Sequence, residues 1–318
     1  MKKIGKPDEF GDSSSFSYLP DEIVLQILSR LIDLKTLCRC KLVSIRFNHI
    51  VQQVDAISST IISVDHPSFN SNSSGAPGEH DDLLYLFKSE SFHSFVSVMK
   101  SLQTFRALKS LCIKIPSFHK SAYNCFLFKW KLLSNTTDSF LFLSPNLVCD
   151  TKENVQDEEE EEEEYLLSEM KLLIAMDCLV NALSIRYKML DYIKCFPLLE
   201  NVTITDAGER GRVSLSGGNI ADRGKCLSSI NKIIDLWASD IINNSCNRLR
   251  QCYVPLLKLP VSGYIMKGVT LALSEMNDFP DDDSFTNINL NDFEDKEEAA
   301  YSEAVMEIFK KNREQIFG

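Results

Sequence analysis

The stretch at residues 18–54, YLPDEIVLQILSRLIDLKTLCRCKLVSIRFNHIVQQV, decides how the N-terminal part of this chain folds. Its apolar residues recur at helical spacing, beginning with Ile23, Ile27, Leu28 and Leu31. The apolar stripe is wider than one core contact requires, so the helix needs two neighbours. Three short helices within about forty residues are too few to close a core of their own. The stretch therefore predicts a helical unit that completes its burial against another chain.

Start signals for the individual helices are also present in this stretch. Pro20 suits a first helical turn, because its missing N–H would have no partner there. Asp33 can cap a second short helix over residues 34–40. A third helix is indicated by apolar residues at i, i+4, i+7, i+8 and i+11. These residues are Val43, Phe47, Ile50, Val51 and Val54.

These residues resemble the F-box family. The family pattern is Leu-Pro-acidic, a Leu/Ile-rich helix that ends in Leu, a second Leu pair, and then Val-Ser-x-Arg with an aromatic residue. It stands here as Leu19-Pro20-Asp21-Glu22, Ile27-Leu28, Leu31, Leu34, Leu37, Val43-Ser44, Arg46 and Phe47. The family usually has Trp where this chain has Phe47, and an aromatic ring of slightly smaller area still fills that position. The competing interpretation is an ordinary helical hairpin at a domain edge.

The resemblance implies a function in protein ubiquitination. An F-box docks on a Skp-type adaptor, which links it to a cullin and a RING subunit. The chain would then be the substrate-recognition subunit that presents an unknown protein target. The residues expected to contact the adaptor or to support that contact are Leu19, Pro20, Ile23, Val24, Ile27, Leu28, Leu31, Leu37, Val43 and Phe47. The alternative is an adaptor-bound scaffold outside a ligase, or a regulator of transcription.

Beyond the F-box, helical and strand patterns alternate through residues 83–273. The phrases at 108–113 and 198–204 share the L-x-x-L-x-L shape of leucine-rich repeats. The predicted fold is therefore α/β, with a three-helix F-box followed by a degenerate leucine-rich-repeat-like body and acidic disordered insertions. A β/α body of another topology is the alternative.

Further segments of the body resemble a plant F-box subgroup that includes the auxin-up-regulated F-box proteins. They lie at 105–117, 128–130, 187–206 and 253–273. The acidic run and the tail after Glu275 depart from that subgroup.

Composition shifts divide the chain into three parts. We expect the F-box at 16–55, the substrate-recognition body at 56–275, and an acidic tail at 276–318 whose apolar spacing suits a helix. Within the body, the Ser-, Asn- and Gly-rich residues 66–82 and the acidic residues 150–164 are expected to be disordered loops, since dense like charge prevents compaction.

The charge is unevenly distributed. Residues 150–169 carry −10 and residues 274–318 carry −9, which leaves +8 of the net −11 for the rest of the chain. The acidic segments either lie over a basic surface and compete with an acidic ligand, or they are solvated loops.

No motif of catalysis or of metal binding is present. The ten cysteines form no C-x-x-C pair, which favours reduced thiols over a zinc site. None of the five histidines lies in H-E-x-x-H, and there is no Gly-rich phosphate loop. We therefore expect a non-catalytic protein without a cofactor or a metal.

Hydropathy and charge argue against membrane and nucleic-acid partners. No apolar run reaches the roughly twenty residues of a membrane helix, and no secretory signal precedes the F-box. We expect a location in the cytoplasm and nucleus. The acidic runs would repel phosphate, which argues against a nucleic-acid partner.

Overall fold

The computed structural model of the chain describes residues 15–61, 90–115, 121–134, 138–150, 161–216, 249–275 and 296–317. The predicted loop at 66–82 lies outside these residues. The described helices are α1 (Asp21–Ser29), α2 (Leu34–Lys41), α3 (Ile45–Val51), α4 (Glu90–Leu102), α5 (Glu161–Ile193) and α6 (Lys296–Phe317). Short 3-10 helices lie at Ser15–Tyr18 and Ser121–Cys125.

The strands form one mixed sheet. They are β1 (Ala56–Thr60), β2 (Ser110–Ile115), β3 (Lys129–Ser134), β4 (Asp138–Ser144), β5 (Leu147–Asp150), β6 (Asn201–Asp206), β7 (Gly211–Ser216), β8 (Arg250–Lys258) and β9 (Tyr264–Glu275). Their order is β1-β2-β6-β7-β3-β4-β9, and β9 also pairs with β5 and with β8. Together with the helices, this sheet makes an α/β fold.

Strands β1, β2 and β6 are parallel neighbours that share one residue pattern. Leu111 lies between Ile57 and Val202 in the register of the sheet. In each strand, the residue three positions earlier is also buried and apolar, as are Val54, Leu108 and Leu199. The two phrases with the L-x-x-L-x-L shape therefore lie side by side in the sheet.

The turns before these strands are stacked through backbone hydrogen bonds. The carbonyl of Asp55 accepts from Lys109 N at 2.7 Å and from Ser110 N at 2.9 Å. The carbonyl of Lys109 accepts in the same way from Glu200 N at 2.8 Å and from Asn201 N at 3.0 Å. The turn at the end of the N-terminal helical unit is thus the first member of the stack.

The other six strands do not continue this arrangement. Strand β7 runs antiparallel to β6 and parallel to β3, and β4, β5, β8 and β9 pair only in antiparallel fashion in the described register. The β/α alternation predicted for the whole body therefore does not describe these strands, since β3 with β4, β6 with β7, and β8 with β9 are antiparallel neighbours that follow one another in the chain.

One hydrophobic core joins the N-terminal helices to the sheet. Leu28, Leu37 and Val51 belong to the same buried cluster as Ile57 and Leu111, together with buried residues of α4 and α5. The N-terminal helical unit does not close a core alone, as its size predicted, and part of its apolar surface is buried in the core that it shares with the sheet of the same chain.

Helix α6 packs near strands β8 and β9, in a second hydrophobic cluster. Its buried residues are Ala300, Tyr301, Ala304, Val305 and Ile308, and they pack with Val269, Leu271 and Leu257. Glu303 accepts hydrogen bonds from Val261 N at 2.6 Å and from Ser262 N at 2.8 Å. The C-terminal helix that the sequence predicts therefore docks on the body of this chain.

The expectation of a disordered loop at 150–164 needs correction at both ends. Asp150 belongs to β5, and α5 begins at Glu161, so four of the glutamates lie within a helix. Glutamate favours helix and is stabilised near the positive end of the helix dipole, which offsets the repulsion that suggested disorder. Helix α5 then runs unbroken to Ile193.

A buried lysine connects α5 to the sheet. Lys171 is 1% exposed, and its Nζ donates to the carbonyl of Ser144 at 3.0 Å and to that of Gly268 at 2.6 Å. A buried ammonium costs free energy unless it is hydrogen-bonded, and these carbonyls provide part of that compensation. Within the described residues, no helix is long and apolar enough to cross a membrane.

A glycine in β7 lies against the largest buried side chain of the sheet. Gly211 pairs with Trp130, and a Cβ added at Gly211 would overlap the indole ring. We expect Gly211→Ala to lower the free energy of unfolding by about 2 kcal/mol or more, because overpacking a dense core forces the indole from its position. Urea unfolding followed by circular dichroism measures the change.

The companion measurement places the same substitution in a Trp130→Phe background. The smaller ring should reduce the cost of Gly211→Ala, since contacting residues are not additive. An equal cost in both backgrounds would contradict the steric explanation.

Candidate functional site

Helix α1 is apolar on two sides, and only one of them is covered by the protein. Val24 and Leu28 are 1% and 2% exposed and belong to the core. Ile23, Ile27 and Leu31 are 41%, 39% and 38% exposed. Ile23 and Ile27 are one helical turn apart on the same side of α1, and Leu31 follows four residues later, just after the helix ends at Ser29. We call these three residues the α1 row.

A second exposed apolar group lies between α2 and α3. It consists of Leu42, Val43 and Ile45, which are 86%, 68% and 80% exposed. Ile45 is the first residue of α3, and Ser44 before it caps that helix by accepting from Phe47 N at 3.1 Å. Apolar side chains this exposed lose unfavourable hydration when a partner covers them.

The ten residues predicted for adaptor contact divide into three groups. Pro20, the α1 row and Val43 are exposed. Leu19 and Phe47 are half-buried. Val24, Leu28 and Leu37 are buried in the core. Of the two roles expected for these residues, contact with the adaptor and support of that contact, their burial leaves them only support.

Several exposed apolar residues near these groups were not predicted. They are Phe16, Tyr18, Ile32, Leu42 and Ile45. The exposure of Leu42 could have been predicted from its position between two helices, where its side chain belongs to the apolar side of neither helix. Ile45 lies two residues after Val43, outside the stripe at i, i+4, i+7, i+8 and i+11, so its spacing was a signal that it faces away from the buried residues of the same helix.

Arg46 ties the segment before α1 to α3. Its Nε donates to Asp21 Oδ1 at 2.7 Å, and its Nη1 donates to the carbonyl of Phe16 at 3.1 Å. Its Nη2 also donates to the carbonyl of Leu19. The ring of Phe47 packs edge-on against Phe16, with 5.9 Å between the ring centroids. The arginine and the aromatic residue of the sequence motif therefore hold the N-terminal approach to α1 in place.

Asp33 fixes the start of α2. Its Oδ2 accepts from the Thr36 hydroxyl at 2.7 Å and from the Thr36 N–H at 2.8 Å. The hydrogen bond from the Thr36 hydroxyl has the largest effect on the pKa of Asp33, and the bond from the Thr36 N–H the next largest. Both lower this pKa below its ordinary value of 3.8. The cap predicted from sequence is thus present, and it places the connection between α1 and α2.

The exposed apolar groups have a fixed orientation relative to the sheet. Ser58 N donates to the carbonyl of Ile32 at 2.7 Å, and Arg106 N donates to that of Gln52 at 3.1 Å. Lys41 Nζ lies 3.7 Å from the centroid of the Phe105 ring, and partial burial lowers the pKa of Lys41. These contacts come from both ends of the helical unit, so it cannot rotate freely on the body.

The described residues show no chemistry of a metal centre. No group of three or more His, Cys, Asp or Glu in that part of the chain is placed to hold a metal ion. Among the described cysteines, Cys178 is fully buried, and burial raises the pKa of its thiol well above the ordinary value. A thiol with a raised pKa is a poor nucleophile, which suits a packing role.

The lowered pKa of Asp33 predicts a pH-dependent contribution to stability. A carboxylate whose pKa is lower in the folded state stabilises the fold above its unfolded pKa and loses that effect as the pH falls through the folded pKa. Asp33→Asn keeps a capping oxygen but has no charge. We expect wild type to be the more stable at neutral pH and the difference to vanish in acid. Urea unfolding at a series of pH values measures it, and a difference independent of pH would contradict the assignment.

The Arg46 contacts predict local loosening when they are removed. Arg46→Ala should cost about 1–2 kcal/mol, because three acceptors lose a charged donor at a partly exposed site. It should also speed hydrogen exchange at residues 16–20. Arg39→Ala, which removes an exposed arginine from α2, is the control. Equal exchange in both variants would show that Arg46 does not hold this segment.

Comparison with protein families agrees with the geometry of the N-terminal helices. The F-box-like family matches residues 16–55, which include α1, α2, α3 and the Arg46 contacts. Searches of curated proteins and of solved structures found no match to this chain. The chain carries an F-box-like domain at residues 16–55, and this domain supports its identification as an F-box protein.

Proposed function

We propose that this chain is the substrate-recognition subunit of a Skp–cullin–F-box ubiquitin ligase. The observation that carries the proposal is the exposed apolar surface of the F-box-like domain, made of the α1 row and of Leu42, Val43 and Ile45. F-box domains typically bind Skp-type adaptors. The surface offers an adaptor several large side chains on a rigid support.

The energetics suit a stable contact. Full burial of one aliphatic side chain contributes about 1.5–3 kcal/mol. The α1 row and the second group supply six such side chains, all more than a third exposed in this chain. Association and side-chain ordering cost about 4–15 kcal/mol, so most of the six must be covered for tight binding.

The proposed mechanism is proximity, and no residue of this chain carries out a chemical step. Through the adaptor, a cullin and a RING subunit would hold the ubiquitin-conjugating enzyme near the target. Holding a target lysine beside a reactive thioester raises its effective concentration. The chain contributes by fixing the distance between the adaptor and the target, for which its continuous core is suited.

We further propose that the turns before β1, β2 and β6 are degenerate leucine-rich repeats. The shared register and the repeated hydrogen bonds to the carbonyls of Asp55 and Lys109 support this. A relationship to the plant subgroup with the auxin-up-regulated F-box proteins, and a location in cytoplasm and nucleus, are proposals that rest on the sequence segments alone.

The adaptor contact is tested with Ile23→Asp combined with Ile27→Asp. Two charges in the α1 row should weaken adaptor binding by at least about 3 kcal/mol, which is a hundredfold, because buried area is lost and each carboxylate must be desolvated. Binding of the purified chain to a Skp-type adaptor is measured by calorimetry. The fold should persist, since both side chains are exposed.

The matched control is Leu147→Asp combined with Leu256→Asp. These leucines are 48% and 45% exposed, and both lie beside Lys267 at the other end of the sheet. This variant should bind the adaptor normally. If both variants bind like wild type, the α1 row is not the contact. If adaptor binds but no co-purified protein becomes ubiquitinated, the chain is a scaffold outside a ligase.

A further inference from the structure

Strand β8 is an outer strand of the sheet. Strand β9 has β4 and β5 along one side and β8 along the other. Among the described strands, only β9 pairs with β8. The far side of an outer strand carries a row of N–H and C=O groups without a strand partner, and such a row is a template for pairing with another extended chain.

The register of the β8–β9 hairpin shows which residues of β8 direct their backbone groups outward. Leu259 N donates to the carbonyl of Tyr264 at 2.9 Å, so these two residues form a hydrogen-bonded pair. Hydrogen-bonded and non-hydrogen-bonded pairs alternate in an antiparallel ladder, and this register continues without a shift back to Arg250. Every second residue of β8 therefore directs its N–H and C=O away from β9. The backbone groups that we call the β8 edge are those of Val254, Leu256 and Lys258.

Pro255 lies inside β8 and leaves the β8 edge intact. Within β8, all of whose residues the structure describes, Pro255 alone has no partner in the register on β9. It stands opposite Gly268 at an inward position, so the N–H that proline lacks is missing on the β9 side. A proline that protects an outer strand removes a donor from the open side instead. All three outward N–H groups of the β8 edge are therefore present.

The β8 edge is accessible. Leu256 is 45% exposed, Pro255 and Lys258 are also exposed, and Val254 is half-buried. Among the described residues, no hydrogen bond occupies the outward backbone groups of the three edge residues. Helix α6 packs against side chains such as Leu257, which stand perpendicular to the sheet, so it covers a face of β8 and not its edge.

The spacing of these groups selects an extended backbone as the ligand. Outward residues of a strand are two positions apart, about 6.8 Å, and each offers one N–H and one C=O. A second extended chain repeats an acceptor and a donor at that same spacing, whereas a helix satisfies its backbone groups internally. Side chains add selectivity, because Leu256 offers an apolar contact and Lys258 a positive charge. Lys258 takes part in no ion pair among the described residues.

We propose that the β8 edge binds an extended segment of a partner protein, which joins the sheet as a further strand. The segment has an apolar residue beside Leu256 and an acidic residue beside Lys258, because directly opposite side chains of neighbouring strands contact each other. That the partner is the protein to be ubiquitinated rests on the proposed function, whereas the binding itself does not.

A second copy of this chain fits the β8 edge less well. Two-fold self-pairing over the whole of β8 is antiparallel and centred on Val254. It places Arg250 of one copy opposite Lys258 of the other at both ends, and like charges directly opposite each other are destabilising. Any other centre shortens the pairing, because β8 spans only Arg250–Lys258.

The β8 edge lies at the far end of the sheet from the F-box-like domain. From β1 the order runs through β2, β6, β7, β3, β4 and β9 to β8, so seven steps of about 4.8 Å separate β1 from β8. A segment bound at this edge would lie about 34 Å from β1 along the sheet. It would therefore leave the α1 row uncovered for an adaptor.

Hydrogen exchange of the full chain, resolved by residue with nuclear magnetic resonance, tests whether the edge is open. The three amides of the β8 edge should exchange at least tenfold faster than those of Tyr253 and Leu257, which face β9. Equal protection of both sets would show that another part of this chain or a second copy already occupies the edge, and it would overturn the proposal.

Binding is tested with a fluorescein-labelled peptide, GETVTVTG, and the purified full chain without adaptor, by fluorescence anisotropy. In antiparallel pairing its glutamate lies beside Lys258 and its first valine beside Leu256. The same peptide, N-methylated at the glutamate and both valines, should bind at least tenfold more weakly, because it has lost the N–H groups that face β8.

Two variants of one residue separate the backbone from the side chain. Leu256→Pro removes an outward N–H and should weaken binding of the peptide at least tenfold. Leu256→Thr, the matched control, keeps that N–H and a side chain that favours strands, and should weaken binding less than threefold. Circular dichroism checks that both variants are folded.

Four outcomes would overturn the proposal. Equal binding of the methylated and unmethylated peptides would show that backbone hydrogen bonds do not hold the segment. An equal loss in the two Leu256 variants would assign the contact to the side chain alone. Self-association of the wild type that Leu256→Pro abolishes, measured by sedimentation, would make a second copy the occupant. No peptide binding by the wild type would reject the site. Because adaptor is absent, none of these results bears on the adaptor contact.

Discussion

The structure depends on the stack of turns that begins at the end of the F-box-like domain. The carbonyl of Asp55 accepts from the turn before β2, and the carbonyl of Lys109 accepts in the same way from the turn before β6. These bonds align three parallel strands, and the alignment puts Ile57, Leu111 and Val202 on one side. On these three strands the buried residues of α4 and α5 pack against that side, and Ser58, Cys112 and Thr203 lie on the other side.

Residue spacing predicted the helices and strands well where the pattern within one element determines which of its sides is buried. The cap at Asp33 and the helices around Ile27 and Val51 follow from spacing and capping alone, and strand β2 overlaps the phrase at 108–113. Those signals depend only on residues within one turn of helix or a few strand positions. The N-terminal unit matched by the F-box-like family is of this kind.

What the sequence could not reveal is which of two apolar sides meets the core. Val24 and Ile23 are neighbours with similar hydrophobicity, yet one is 1% and the other 41% exposed. The difference is made by the core cluster that Val24 joins together with residues distant in sequence, such as Leu37 and Val51. The same limit applies to the acidic run, because the packing of α5 in the core further along supports, together with the helix propensity of glutamate, a helix that begins within it.

The continuous core has a consequence for how the molecule would work as a spacer. Because Leu37 and Leu111 belong to one cluster, the F-box-like domain and the sheet have no hinge between them. A protein held by the body would then stay at a set distance from the α1 row, so bending within this part of the chain would not bring further lysines of that protein within reach.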